Sequence, residues 1–362
     1  MPAMSVLMAV YNGQRYLAEA LDTVLDQTWK DFELVVVDDA STDDTPSILR
    51  SYAQRDRRLV LLRNDSNLRL PASLNRGLTV CRAPLVARAD ADDLNHPKRL
   101  EEQFSFLEQH PAVGAVSCCC FLVDADKRLL RRHAVPAEDA KIKFKLLWES
   151  ALAHSGVCYR LELVRSVGGY DETFTTGQDY DLWARLADRT QFANLPGTLL
   201  TVRFGHAASS TTIRASETAE FSCRVSQRLM SRYFGRPLER EVARALQTLL
   251  CAYEPVAADG VVPALKALDE LMTLARTREN TDTWTWARQE VSRSLLKQAY
   301  YRTYNDPSLS WKLLARAVAL DPQCAYSRPG ALQALRLLVR GIRSPRLTTK
   351  RCMPESPTRG GE

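Results

Sequence analysis

Leu85–Asp93 reads LVARADADD, an apolar run of strand length that ends in three carboxylates. Burying such charges without a counter-charge is strongly unfavourable. Side chains alternate along a strand, so Asp90 and Asp92 are expected on the same side. Two hard oxygen donors there suit Mg²⁺ or Mn²⁺ held jointly with the oxygens of a diphosphate. The alternative is that these acids, Asp93 above all, only cap the next helix.

Apolar strand patterns and helical periodicity alternate before and around this stretch. The predicted strands are Met4–Val10, Phe32–Val37, Leu59–Leu62 and the run that begins at Leu85. Each is followed by apolar residues at helical spacing. Because strands and helices of this length alternate, the sequence predicts an α/β fold with a doubly wound, mostly parallel sheet.

Polar residues follow three of these strands, at Tyr11–Asn12, Asp38–Asp39 and Asp90–Asp93. The carboxyl ends of parallel strands meet at one edge of a sheet, so the three clusters are expected to converge. The chain has no G-x-G-x-x-G after the first strand and no P-loop motif, which argues against a dinucleotide dehydrogenase and a P-loop ATPase. A nucleotide still fits, because Asp39 can accept from a base N–H and Tyr11 can stack on the base. The alternative for Tyr11 is packing on the first helix.

The sequence beyond the fourth strand contains further candidate residues. Val113–Val123 is predicted as a strand, and the segment Thr176–Leu186 as containing a helix, anchored by Leu182 and Leu186, whose first turn carries Asp179, where the helix dipole favours an acid. By itself that position indicates only an N-terminal helix charge. Leu199–Phe204 is predicted as the last strand, and it leads to His206.

Composition and charge limit the class of protein. The chain has 362 residues, of which 45% are hydrophobic, which allows one large core and a second unit. No apolar run approaches the roughly 20 residues that span a bilayer, and the first residues enter a strand pattern directly, so we expect a cytoplasmic protein without a signal peptide. Nine cysteines follow no zinc or disulfide spacing and are expected to be reduced and buried.

From about Ser216 the pattern predicts one helix after another, so the expected domains are residues 1–214, 215–330 and 331–362. The last of these has a surplus of five positive charges out of a net +6, and Ala331–Ile342 is amphipathic. That combination suits peripheral contact with an anionic membrane, although a terminal helix packed on its own domain is equally compatible. The rest of the chain is near neutral, which argues against nucleic-acid binding.

Between about Ser5 and His206 the chain resembles glycosyltransferase family 2, inverting bacterial enzymes with a GT-A fold that take a sugar from a nucleotide diphosphate sugar. The matching stretches are VLMAVYNG (6–13), LVVVDDASTD (34–43), LNRG (74–77), ARADADD (87–93), GGYDE (168–172) and QDYDLW (178–183). Their order and spacing make the match specific. The resemblance implies a GT-A domain, here followed by an all-helical C-terminal region.

The resemblance also implies donor and metal roles for individual residues. Tyr11 would lie against the base and Asp39 would bond its ring nitrogen. Asp92 and His206 would ligate Mn²⁺ or Mg²⁺. The other implied donor-binding residues are Ala9, Arg69, Arg88 and Asp90.

On the acceptor side, the resemblance makes Asp179 the catalytic base, with Gln178 where the family more often has Glu. His154 and Gly169 would lie near the acceptor. An inverting transfer is a single in-line displacement and needs one base that removes the acceptor proton. An ordinary aspartate pKa of about 3.9 would keep Asp179 ionised without special tuning.

The resemblance points to UDP as the nucleotide, with dTDP and GDP left open, and to a glycan or lipid-linked acceptor in bacterial surface polysaccharide. Two other functions compete. A sugar-phosphate nucleotidyltransferase would require a Gly-rich basic loop after the first strand, which Tyr11–Gln14 does not supply. A non-catalytic scaffold would use the helical region, and loss of Asp92 or Asp179 would have favoured it.

Overall fold

The computed structural model describes residues 1–205, 215–302 and 306–323. The chain forms two compact units. The first contains Met1–Cys251 and Val256–Ala287, and the second contains Ala252–Pro255 and the described part of Arg288–Glu362. The predicted domain limits remain predictions, and both His206 and the predicted basic segment 331–362 lie outside the described residues.

The first half of the sheet is parallel, as predicted. Its strands are β1 (Met4–Val10), β2 (Phe32–Asp38), β3 (Leu59–Arg63) and β4 (Leu85–Arg88), in the order β3-β2-β1-β4. Every residue of β1 and β2 is buried, as expected for strands covered on both faces. The helices that connect these strands are α1 (Leu17–Leu25), α2 (Thr45–Arg55) and α3 (Arg69–Val80).

The second half of the sheet is mixed, which the sequence pattern did not predict. Its strands are β5 (Leu94–Asn95), β6 (Val113–Val123), β7 (Leu129–His133), β8 (Cys158–Arg160) and β9 (Gln191–Arg203). The order continues β4-β8-β6-β9-β5, with β7 on β6; only β6 and β9 pair in parallel here. An apolar run indicates a buried strand but not the direction of its neighbour, so the α/β class is confirmed while the strand directions came only from the structure.

Helices surround and follow this sheet. Those between the strands are α4 (Arg99–Gln109), α5 (Asp139–Lys145), α6 (Leu161–Ser166) and α7 (Gln178–Leu186). The described part of the C-terminal region is helical, as predicted, with α8 (Ala215–Phe234), α9 (Arg240–Cys251), α10 (Val261–Arg278), α11 (Thr281–Arg302) and α12 (Pro307–Leu320). None of the described helices is long and apolar enough to cross a bilayer.

The described cysteines are unpaired, and all but Cys251 are buried, which confirms the prediction for them. Burial raises the pKa of the Cys81 and Cys158 thiols to about 12. At neutral pH these thiols are therefore protonated, small apolar core residues.

Candidate active site

The turns that follow β1 and β2 are tied together by hydrogen bonds. Asn12 N donates to Ser41 Oγ at 2.9 Å, and Thr42 N donates to Asn12 Oδ1 at 2.8 Å. These bonds fix the turn that carries Tyr11, whose side chain is 50% exposed at the end of β1. The backbone beside Tyr11 is therefore fixed, and the ring is open to a ligand.

Asp39 is buried at the end of β2, and three donors already bind its carboxylate. Oδ1 accepts from Asn64 Nδ2 at 2.6 Å and from Leu68 N at 2.8 Å, while Oδ2 accepts from Arg69 N at 2.9 Å. A carboxylate has about four acceptor positions, so Oδ2 has room for one further donor. The arrangement fixes the direction in which Asp39 can receive a ligand N–H.

Three non-glycine residues beside these turns have a left-handed backbone: Asn12 (φ 52°), Ala40 (φ 60°) and Arg69 (φ 72°). Such a conformation costs about 1–3 kcal/mol for a residue with a side chain. At Arg69 the bond from its N–H to Asp39 helps to hold the conformation. Because strain of this kind concentrates at binding sites, it supports a ligand site at this edge.

Arg88 is completely buried beneath Asp90. Its Nη1 donates to Leu7 O at 2.7 Å and to Ala89 O at 2.8 Å, Nη2 binds the Asp90 carboxylate, and Nε donates to His154 Nε2 at 3.3 Å. The Asp90 side chain remains 32% exposed. Arg88 is thus placed to orient Asp90; its direct contact with a donor stays a prediction.

His154 is held as a neutral ring between Arg88 and Tyr170. Arginine can only donate, so His154 Nε2 must carry a lone pair. The Tyr170 hydroxyl lies 3.0 Å from the same nitrogen. Burial, with the positive charge of Arg88, lowers the pKa of His154 to about 3, so the ring is uncharged at neutral pH.

Asp92 and Asp93 are placed differently. Asp92 is half-buried, and its carbonyl accepts from Arg203 Nη1 at 2.5 Å. Asp93 is buried, and its Oδ1 accepts from Arg203 N at 3.1 Å. Burial and the charges of Asp92 and Asp90 raise the pKa of Asp93 well above its usual value. Asp93 does not cap α4, whose N-cap residue is Lys98.

The loop that carries Asp90, Asp92 and Asp93, here called the carboxylate loop, fits a cation that binds together with a phosphate ligand. Within residues 1–205, 215–302 and 306–323, no three acidic, His or Cys side chains form a group that could hold a metal ion. Mg²⁺ is commonly bound by one or two carboxylates plus substrate phosphates, so Asp92 in its half-exposed position suits such a site. The second predicted ligand, His206, lies outside the described residues.

Asp179 lies at the start of α7 and has an unusually high pKa. Burial, with a smaller contribution from the charge of Asp90, raises the pKa to about 6, although backbone N–H groups including that of Tyr180 act against the rise. Ser150 Oγ donates to Asp179 Oδ2 at 3.4 Å. The expectation of an ordinary pKa near 3.9 was wrong, because sequence alone did not show the burial. The carboxylate is still mostly ionised at neutral pH.

The turn that contains Gly169 is clamped from two helices. Asn75 on α3 accepts from Tyr170 N at 2.8 Å and donates to Tyr170 O at 2.8 Å. Arg185 on α7 donates to Gly169 O at 2.8 Å. Gly169 has φ 72°, and a Cβ there would lie 2.5 Å from Asn75 Oδ1, so only glycine fits. Sequence reasoning gave Asn75 and Arg185 no role, although both lie in or beside the matching stretches.

The remaining predicted residues are buried. Ala9 lies in β1 beside Val37, and Gln178 begins α7. Asp181, in the same stretch as Asp179, accepts from Arg185 Nε at 2.7 Å and from Arg228 Nη2 on α8 at 2.8 Å. Asp181 is therefore a structural ion-pair partner.

The structure joins part of the predicted set into one network. Asp90, Arg88, His154 and Tyr170 are linked by consecutive contacts, and the pKa of Asp179 responds to the charge of Asp90. Tyr11, Asp39 and Arg69 form a second group at the ends of β1 and β2. Both groups lie at the carboxyl ends of the neighbouring strands β2, β1 and β4, where ligands collect in such sheets.

Comparison with known proteins bears on this arrangement. Residues 5–165 match the model of glycosyl transferase family 2. The chain is 36% identical over 191 residues to the putative glycosyltransferase EpsE of Bacillus subtilis, covering 51% of this chain and 66% of the relative, just under two thirds of its length. It is 31% identical over 205 residues to the amylovoran biosynthesis glycosyltransferase AmsE of Erwinia amylovora, covering 56% of this chain and 76% of the relative.

The fold has a solved counterpart. The crystal structure of S. aureus TarS 1-349 in complex with UDP-GlcNAc matches with a TM-score of 0.54 at 16% identity, covering 90% of this chain and 93% of that one. At this identity the likeness shows the fold alone. The match over residues 5–165 and the similarity to AmsE lead to one conclusion: the chain belongs to glycosyltransferase family 2.

Proposed function

We propose that the protein transfers a sugar from a nucleoside diphosphate sugar to an acceptor hydroxyl by a single displacement that inverts the anomeric centre. One observation carries the proposal: the Asp179 carboxylate lies half-buried at the start of α7, where Ser150 Oγ donates to it at 3.4 Å, and burial raises its pKa to about 6. A base with a pKa just below neutral pH is ionised and still able to take up a proton.

The donor's nucleotide is bound by the turns after β1 and β2. The exposed Tyr11 ring stacks on the base, and the free acceptor position of Asp39 Oδ2 receives a ring N–H. Arg69, exposed at the start of α3, lies within reach of the base or the phosphates. Ala9, in β1, lies beneath the nucleotide, and Asp90 contacts the ribose or the sugar of the donor.

Asp92 and His206 are the residues that would hold Mn²⁺ or Mg²⁺. When bound, the cation stabilises the negative charge of the departing nucleoside diphosphate. Arg88 acts on this edge indirectly, because its guanidinium fixes the direction of the Asp90 carboxylate.

Asp179 accepts the proton of the acceptor hydroxyl while that oxygen forms a bond to the anomeric carbon. The bond from the anomeric carbon to the diphosphate oxygen breaks in the same step, and the nucleoside diphosphate leaves with the electron pair. Gln178 and the Gly169 turn border the acceptor. His154 is neutral and bonded to Arg88 and Tyr170, and it holds Tyr170 beside the acceptor.

UDP is the proposed nucleotide, and a growing bacterial surface polysaccharide, free or lipid-linked, is the proposed acceptor. The names of two relatives, the amylovoran enzyme described above and the O-antigen biosynthesis glycosyltransferase WbnJ of Escherichia coli, support the polysaccharide. Cytoplasmic location and peripheral contact with a membrane through residues 331–362 belong to the same proposal, supported by the surplus of five positive charges there.

The test is turnover of purified protein with a panel of UDP-, dTDP- and GDP-sugars, with and without Mn²⁺ or Mg²⁺. We expect release of nucleoside diphosphate from one donor, dependent on the cation and abolished in Asp92→Ala. Asp126→Ala, an exposed acid on the β6–β7 turn, is the control and should retain turnover. Release of pyrophosphate instead would identify a nucleotidyltransferase, and no turnover with any donor would favour a scaffold.

A further inference from the structure

The β6–β7 hairpin and the end of β9 expose large apolar side chains. Leu129 is 63% exposed, Leu130 54%, Phe204 51% and Phe121 37%. Backbone pairing brings these residues to one end of the sheet, here called the hairpin patch, because Leu129 pairs with Val123 and Val123 O accepts from Phe204 N at 2.8 Å. Burial of Leu129 and Leu130 by a partner would remove two large apolar side chains from water, which is favourable.

A β-bulge produces the two outward leucines. Val123 pairs with Leu129 while the preceding Leu122 pairs with Arg131, so Leu130 is an extra residue on β7. In a regular strand, neighbouring side chains point to opposite faces, and one of two consecutive leucines would be turned inward. Here both are more than half exposed. The backbone irregularity thus keeps this pair of leucines accessible.

Basic residues flank the two leucines along the chain. Residues 121–133 contain four basic residues and two acidic ones, a surplus of two positive charges. Arg128 is 80% exposed and lies 3.9 Å from the exposed carboxylate of Asp126, a loose surface pair, and Arg131 is exposed on the strand itself. The carboxylate of Asp124 is turned inward on the loop, where its Oδ1 accepts from the backbone N–H groups of Asp126 and Arg128. Exposed leucines flanked by arginines are the combination that binds anionic lipid headgroups.

The hairpin patch borders the carboxylate loop. Lys127, at the hairpin turn, pairs with Glu19, which also pairs with Arg203. Arg203 in turn donates to the carbonyl of Asp92 at 2.5 Å. A surface that held the hairpin would therefore lie beside the edge of the sheet where the donor is proposed to bind.

We propose that the hairpin patch docks the protein on an anionic lipid bilayer, with Leu129 and Leu130 entering the headgroup region and Arg128 and Arg131 contacting lipid phosphates. The occupant is a lipid surface because the patch combines apolar tips with positive charge in one short turn. This docking is separate from the proposed basic segment at residues 331–362. It also does not depend on the sugar-transfer chemistry.

The experiment is co-sedimentation of the full chain with vesicles of phosphatidylglycerol and phosphatidylcholine, compared with vesicles of phosphatidylcholine alone. We expect binding to the first only, weakened by salt. The double variant Leu129→Glu/Leu130→Glu should lower the partition coefficient about tenfold or more, since two leucines leave the interface. Val262→Glu, at an exposed valine 75% accessible on α10, is the matched control and should bind as the wild type does.

A second pair of variants separates the sources of binding. Arg128→Gln/Arg131→Gln keeps the leucines and should lower binding to the anionic vesicles about 30-fold, because about 1 kcal/mol is lost for each of the two basic residues. Arg336→Gln/Arg340→Gln in the basic segment should leave the effect of the leucine substitutions unchanged. Donor turnover in solution by Leu129→Glu/Leu130→Glu should equal that of the wild type.

Unchanged sedimentation in both the leucine and the arginine variants would overturn the proposal. So would a leucine variant that binds vesicles normally but changes from dimer to monomer in sedimentation velocity, because the patch would then be an interface between copies of this chain. Equal binding to neutral and anionic vesicles would overturn the role of the arginines.

Discussion

The proposed donor and acceptor sides of the candidate site position their carboxylates by different physical means. On the donor side, Asp39 is surrounded by N–H donors, two of them backbone groups at the start of α3. On the acceptor side, Asp179 lies in a poorly solvated position that raises its pKa to about 6. A carboxylate saturated with donors is suited to hold a ligand in one direction. A carboxylate short of solvation is suited to take up a proton.

The comparison extends to how each side is assembled. The donor turns are built from chain segments that follow consecutive parallel strands, and short polar side chains tie them together. On the proposed acceptor side, His154 and Tyr170 come from distant parts of the chain, and His154 is held by the fully buried guanidinium of Arg88, which also binds Asp90. Substitutions on the donor side should therefore weaken nucleotide binding, whereas substitutions on the acceptor side should impair the chemical step or the fold.

The largest effect is expected from Asp179→Asn, which removes the proposed base without changing its shape. The rate constant kcat should fall about 10²–10⁴-fold, the usual contribution of general base catalysis, while calorimetry should give an unchanged Kd for UDP with metal. Asp188→Asn, an exposed acid paired with Arg232, is the control. Equal losses in kcat and in nucleotide binding would contradict the division between the two sides.

The next effect concerns the buried guanidinium. Arg88→Gln leaves Asp90 without its cation and several buried acceptors without a donor, so the free energy of unfolding should fall by about 3–5 kcal/mol. Urea titration measures it. Arg240→Gln breaks an exposed pair with Glu220 and should cost at most about 1 kcal/mol. If Arg88→Lys restored full stability and turnover, the fork geometry of the guanidinium would not be what orients Asp90.

A binding effect is expected from Asp39→Ala. The substitution removes an acceptor for the base and leaves two backbone N–H groups unpaired, so the Kd for the nucleotide should rise about 10- to 100-fold, as for hydrogen bonds to a charged group. Isothermal titration calorimetry at constant metal concentration measures it. Asp65→Ala, an exposed acid in the same loop, should leave the Kd unchanged. A loss of kcat at saturating donor without a change in Kd would contradict the assignment of Asp39 to donor binding.

Two neighbouring glycines give a matched pair. Gly168 and Gly169 both have positive φ, but a Cβ at Gly168 meets nothing within 4 Å, whereas one at Gly169 meets Asn75 Oδ1. Gly168→Ala should cost about 1–2 kcal/mol of unfolding free energy from the backbone alone. Gly169→Ala should cost about 1–3 kcal/mol more, because the side chain of Asn75 must move away from the new methyl group. Equal losses on thermal or urea unfolding would mean that the Asn75 contact is easily displaced.

The smallest effect is on the pH profile. Only ionised Asp179 can accept a proton, so kcat should rise with pH, reach half its maximum near pH 6 and be about a tenth of its maximum near pH 5. Asp90→Asn removes a charge that raises this pKa, so at saturating donor its half-maximal pH should be lower. A half-maximal pH near 4 in the wild type would show that the acceptor side is as well solvated as an ordinary surface.

Local sequence patterns predicted much of the secondary structure and the candidate site residues. The apolar runs with intervening amphipathic segments predicted the parallel strands and most helix positions, because burial on both faces of a strand and on one face of a helix requires those periods. The short stretches that match the family predicted which polar residues belong to the candidate site. Bonds between the two donor turns join residues about thirty positions apart, yet the strand ends on which they lie were already predicted.

Only the tertiary structure decided the direction of the later strands, the burial of Arg88 and the pKa of Asp179. An apolar run in β6 has the same pattern whether its neighbour is parallel or antiparallel. A pKa depends on solvation and on charges that approach through space, and here Asp90 and Asp179 are distant in the chain. The sequence by itself determined the family and the candidate residues; their electrostatic roles follow from packing, since the surroundings of a side chain exist only once the chain has folded.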